Sequence, residues 1–207
     1  MLKSVEQLTQ LSTTPGSQIM SEYFFAVENT NVPFYDFPDE YSGVIPSNMF
    51  THPVEPVPLI VKFTGDDVHQ LADIFLVPGL SIKLPLFQQL ELSDIHGTNW
   101  VQVNLFDQGE HLYQMLQVEN EIKAIDRQQS EFDFYDEFNG GEFISGMNKL
   151  VLDEQTLNKI ALEKRLIFRD SGWKDKLFFH KSIVNKIIQF QPKGISFIPV
   201  DGYNEFG

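Results

Sequence analysis

The stretch GDDVHQLAD at 65–73 sets two carboxylates around an imidazole. On a helix, Asp66 stands three residues before His69 and Asp73 four after it, so all three share one face. Such a set can hold a divalent cation, and a bound cation can activate water for hydrolysis. That would make the chain a small metal-dependent hydrolase. The plainer reading has Asp66 or Asp67 capping a helix that starts after Gly65, with His69 in solvent. No second histidine or acidic cluster has ligand spacing, so the capping reading is preferred and no metal or other cofactor is expected.

Other candidates for chemistry are weaker. His180, in LFFHKSIVNKIIQFQPKGISFIPV (177–200), has Lys181 beside it and no acid in the segment to orient it as a base. It reads as a polar residue at a strand-to-helix junction. NGGEF (139–143) reads as a turn, and GxSxG, GxxxxGK[ST] and GxGxxG are all missing. Asp126 and Ser130 read as turn residues, an Asp bonding backbone N–H groups two residues on and a Ser capping. The chain is therefore not expected to be an enzyme.

Two segments suit binding instead. FYDFPDEY (34–41) and SEFDFYDEF (130–138) interleave aromatic rings with carboxylates. The second lacks the glycine and ligand alternation of a calcium loop. Aromatic anchors ringed by acids fit a basic protein partner. The candidate partner-binding residues are Tyr35, Phe37, Asp39, Glu40 and Tyr41 in the first segment. In the second they are Asp133, Tyr135, Asp136, Glu137 and Phe138. For the second segment the competing reading is a solvated loop with its phenylalanines turned into the core.

The elements that must position these residues are mostly strands. Apolar or alternating runs at 23–27, 57–63, 100–106, 111–118 and 148–152 predict them. In WVQVNLF, Val101, Val103 and Leu105 alternate with Trp100, Gln102 and Asn104, as a half-buried strand requires. Residues 31–58 hold six prolines and predict irregular structure. A helix is predicted over 153–164, capped by Asp153, with Leu157, Ile160 and Ala161 as its stripe. A second, capped at its start by Ser182, repeats Ile183, Val184, Ile187 and Ile188 on one face and ends at Pro192 and Gly194. This strand–helix–strand has a degenerate earlier copy over 74–103. There Gly97, Trp100 and Val103 match Gly194, Phe197 and Val200 at identical offsets. The expected fold is α+β, a mixed but mainly antiparallel sheet with a few short helices. It forms one domain over 1–207, with 57–106 and 113–200 as two related halves and 1–56 as an irregular N-terminal segment.

The 207 residues carry a net charge of −14, which argues against nucleic acid as a partner. The charge is uneven: residues 1–60 carry −6, 61–145 carry −11 and 146–207 carry +3. With no cysteine, disulfides and thiolate metal sites are excluded. No continuous apolar core marks MLKSVEQLTQLSTT as a secretory signal, and no run suits a membrane span. The expected location is cytoplasmic.

Further residues carry a family resemblance. YQMLQV (113–118) is followed by IKAIDRQQS (122–130), with Ile125, Asp126 and Ser130 at matching places. LIFR (166–169) and LFF…IVNKII…KGISFIPV then follow in order. Over roughly 113–200 the chain resembles the immunity proteins of bacterial polymorphic-toxin systems, in particular the family numbered eleven in that classification. The resemblance implies a protein of interbacterial competition, encoded beside a toxin, that binds the toxin and blocks it. It brings no catalytic residues. An adaptor or chaperone that delivers a toxin would need the same kind of binding face.

Overall fold

The computed structural model describes residues 21–29, 32–39, 57–63, 70–136 and 142–205. The fold is α+β, with antiparallel-rich sheets and short helices. The first sheet has six strands. β2 (Phe34–Asp36) pairs with β3 (Val57–Phe63), which runs parallel to β6 (Thr98–Phe106). Next come β7 (Glu110–Val118), β5 (Ser81–Lys83) and β4 (Ile74–Phe75), all joined antiparallel. The sheet curls. Its two edge strands meet inside, where Tyr35 of β2 stacks on Phe75 of β4 with ring centroids 4.1 Å apart. The curl encloses Val57, Leu59, Val101, Val103, Leu105, Tyr113 and Met115 in one core.

The second sheet runs β13 (Ile195–Pro199), β1 (Tyr23–Glu28), β12 (Trp173–His180), β11 (Ile167–Asp170) and β8 (Glu121–Ile122). Only β8 and β11 pair in parallel. A two-stranded ribbon, β9 (Glu131–Asp136) with β10 (Glu142–Lys149), packs on one face through Ile144 and Met147. Along β1, Tyr23 and Phe25 face this ribbon core, while Phe24 and Ala26 face a central core shared with the first sheet. The central core also takes Leu90 from α1 (Leu84–Leu90) and Ile183, Val184 and Ile187 from α3 (Lys181–Ile188). The remaining helix, α2 (Glu154–Asn158), buries Leu157 on the ribbon side.

The strand–helix–strand duplication is visible as topology. β5 and β6, joined by α1, flank the antiparallel β7; β12 and β13, joined by α3, flank the antiparallel β1. The matched glycines precede the closing strand of each unit and have positive φ, 68° at Gly97 and 114° at Gly194. Each also lies where the two sheets meet. Ile74 N–H donates to the Lys193 carbonyl at 3.1 Å, directly beside Gly194. The Gly97 carbonyl accepts from Glu119 and Asn120, and the Asn120 carbonyl accepts from Arg169 N–H of β11 at 2.9 Å.

Several expectations need correcting. The helix predicted over 153–164 ends after Asn158, and a separate 3-10 turn covers Leu162–Lys164, leaving Ala161 exposed. Ile188 is exposed at the end of α3. The N-terminal segment is not wholly irregular, because β1 runs through the middle of a sheet and Phe34–Asp36 forms an edge strand. The strand predicted over 111–118 belongs to the first sheet, so the structural halves divide the chain differently from 57–106 and 113–200. The run 148–152 only ends β10, with Leu152 bridging to Ile125.

Candidate functional site

The predicted partner-binding residues separate. Tyr35 is 1% exposed and clamps the curled sheet from inside. Its hydroxyl accepts the Ala72 N–H at 3.0 Å, while the Tyr113 hydroxyl donates to the Ala72 carbonyl at 2.7 Å. Burial pushes the Tyr35 phenol up to about 12 and raises that of Tyr113. Phe37 lies in the same core. These two aromatics are therefore core residues, not surface anchors, because a curled sheet needs large side chains to fill its interior. Asp39 is exposed, and Glu40 and Tyr41 lie outside the described residues.

In the other segment, the alternative of a solvated loop gives way to strand β9. Asp133 is exposed, and Phe132 packs on the ribbon core. Tyr135 and Asp136 pair through their backbones with Phe143 and Glu142. Glu137 and Phe138 lie outside the described residues, as does most of NGGEF. The two acidic–aromatic segments thus sit on different cores, one in the curled sheet and one against the far face of the second sheet.

The metal-site alternative falls largely outside the described residues, since Asp66 and His69 are both there. The Asp73 carboxylate accepts the Lys193 N–H at 3.0 Å, a bond that ties the two sheets together. Among the described residues, no three His, Asp or Glu side chains come close enough to hold a metal ion.

Capping explains the other polar candidates. His180, not Ser182, caps α3: its Nδ1 accepts the Ser182 N–H at 3.1 Å and lies 2.8 Å from the Ser182 hydroxyl. The ring packs edge-on to Tyr23, and burial holds the imidazole below its ordinary range. Asp126 bonds the N–H groups of Gln128 and Gln129 at 2.9 and 3.1 Å, as its turn role predicts. The Ser130 hydroxyl accepts from Val151 N–H at 2.9 Å. Asp153 caps α2 through Thr156 N–H at 2.9 Å.

These turn residues border a polar groove of about 950 Å³, lined by Lys123, Asp126, Arg127, Asp153, Glu154 and Asp170 among others. Its floor is rigid, because buried Asp170 accepts from Ala124, Ile125 and Gly172 N–H at 2.7 to 3.0 Å. Hydrogen bonds hold Asp126 and Asp153 below the usual carboxylate range, so both stay ionised. The Thr156 hydroxyl on this wall donates to the Asp153 cap. The groove is thus built from capping and turn chemistry.

The outer face of the curled sheet was not anticipated. Strand register aligns Asp36, Ile60, Phe106 and Glu110 in one row across β2, β3, β6 and β7. Pro58, Asn104 and Leu112 make the next row. Phe106 is 49% exposed and Leu112 36%, and Phe34 at the edge is 47% exposed. Among the described residues, α1 covers the far end of β6, where Phe87 packs on Trp100. The signal was present in the alternation: Phe106 falls in the polar register of Gln102 and Asn104.

A search against models of known protein families finds no match, and no curated protein matches the chain.

Proposed function

We propose that this chain is an immunity protein, a non-enzymatic binder that neutralises a cognate bacterial toxin by occluding it. The observation that carries this reading is the charge carried by the curled sheet. Its described segments (32–39, 57–63, 70–119) hold eight acidic residues and two basic ones, Lys62 and Lys83. The remaining described segments are nearly balanced, with fifteen acidic and twelve basic. A field so concentrated raises the encounter rate with a basic protein and disfavours acidic ones. The order of motifs over 113–200 supports the same reading. The blocked partner is a protein with a basic surface, and neither nucleic acid nor a membrane is a partner. Among the described residues no helix is long and apolar enough to cross a membrane.

Co-expression with the protein encoded by the neighbouring reading frame tests this. Growth should be restored when both are present, and the two should co-purify one to one. Toxicity unchanged by the chain, with no complex formed, would sink the reading. Intact toxicity from a stable complex would point to delivery instead of protection.

A further inference from the structure

We infer that the partner docks on the outer face of the curled sheet, around Phe106 and Leu112, through a cationic segment with an apolar anchor. This rests on the immunity reading and locates its interface.

The face is an apolar strip between carboxylates. Ile60 and Phe106 are neighbours in one row, with Asp36 at one end and Glu110 at the other; Leu112 lies in the next row. A soluble sheet face normally carries polar residues at such positions, and Gln102, Asn104 and Gln114 do so a few residues away. The carboxylates are preset. Asn104 donates to Glu110 at 2.5 Å, and Asp36 accepts the Phe37 N–H at 2.8 Å. Asp107 in the β6–β7 turn adds a third. An apolar centre with a fixed acidic edge matches an aliphatic or aromatic anchor flanked by Lys or Arg.

A second copy fits poorly. A two-fold contact would set Asp36 and Glu110 of one copy against the same acidic edge of the other, in chains that each carry −14. The acidic ribbon is the main rival surface: Asp133 is exposed on it, while Phe132 is packed on the core.

The test measures binding of the purified neighbouring-frame protein to wild type and to four variants. Phe106→Ser and Leu112→Lys should each weaken binding at least thirtyfold. Glu110→Gln should weaken it several-fold and reduce its salt dependence, while Asp133→Lys should leave it unchanged. Unfolding midpoints confirm that each variant is folded. Because the chain has no cysteine, Leu112→Cys supplies a single thiol for alkylation. It should react freely in the isolated protein and be protected once the partner binds. This last variant keeps the proposal testable if Phe106→Ser unfolds.

If wild type does not bind at all, the immunity reading fails and the interface falls with it. If wild type binds and only Asp133→Lys weakens it, the reading survives and the interface moves to the ribbon. Protection of the Leu112→Cys thiol in a monomer would mean that the chain covers this face itself. A wild-type dimer that Leu112→Lys splits would mean a second copy does so. Either result overturns the proposal.

Discussion

The two sheets are each organised around one strand–helix–strand unit, yet they are covered differently. In the five-stranded sheet β1 is apolar on both faces, with Tyr23 and Phe25 toward the ribbon and Phe24 and Ala26 toward the central core. Among the described residues, the six-stranded sheet closes one face by curling and leaves part of the other open. β6 therefore alternates, with Val101, Val103 and Leu105 fully buried and Gln102 and Asn104 half-buried. The same local unit can build a sheet that is all scaffold or one that presents a surface. What packs on the sheet decides which, and the side-chain pattern records it.

Side-chain truncation gives the largest predicted contrast. Phe178 is fully buried and stacks on Phe168 with centroids 5.0 Å apart, so Phe178→Ala should cost about 4 kcal/mol in urea unfolding. Phe106→Ala, also on a strand, should cost less than about 1 kcal/mol. Equal losses would mean the outer face is covered.

The glycines sharpen how the units are joined. A methyl at Gly194 would run into the Ile74 carbonyl and lie 2.8 Å from Ala72 Cβ, at a φ of 114°. Gly194→Ala should therefore cost about 3 kcal/mol. Gly97→Ala meets Asn120 Cβ at 2.5 Å and should cost about 2 kcal/mol. Gly202, with a φ of 71° and open space around it, should cost only about 1 kcal/mol. Equal midpoints for Gly194→Ala and Gly202→Ala would refute the close approach of the two sheets.

A smaller effect tests the curl. Tyr35→Phe keeps the ring but leaves the buried Ala72 N–H without its acceptor, so about 1 to 2 kcal/mol should be lost. Hydrogen exchange at Ala72 should quicken.

The smallest effect is the pH dependence of the second unit. His180 is buried, and its folded pKa lies below the ordinary imidazole value. Below about pH 6.5 the unfolded chain takes up a proton before the folded one does. The contribution of His180 is thus present above that pH and is lost as the pH falls through the window down to the folded pKa. His180→Asn, which can still cap α3, should flatten the stability profile there. An unchanged profile would exclude this histidine as its source.

Much of the scaffold was legible in the residues. The alternation in WVQVNLF, the turn at Asp126, the cap at Asp153 and the repeated glycine offsets depend on neighbours within a few residues, which is the range over which period and turn chemistry operate. The candidate interface was less legible. Tyr35 and Phe37 sit beside acids in the chain, and that proximity suggested a surface. Their rings turn inward because a strand sends successive side chains to opposite faces. Asp36, between them, lies in the outer row.

By itself the sequence determined an acidic, cysteine-free chain, an α+β pattern of strands and short helices, and a unit used twice. These follow from composition and local periodicity. Only the tertiary structure decided which face of each strand is covered. Coverage depends on segments far apart in the chain, such as Phe75 meeting Tyr35 across the curl and α1 stopping at Trp100. The open strip at Ile60, Phe106 and Leu112 exists because three strands align there and, among the described residues, no helix packs above them, and no single stretch of sequence contains that fact.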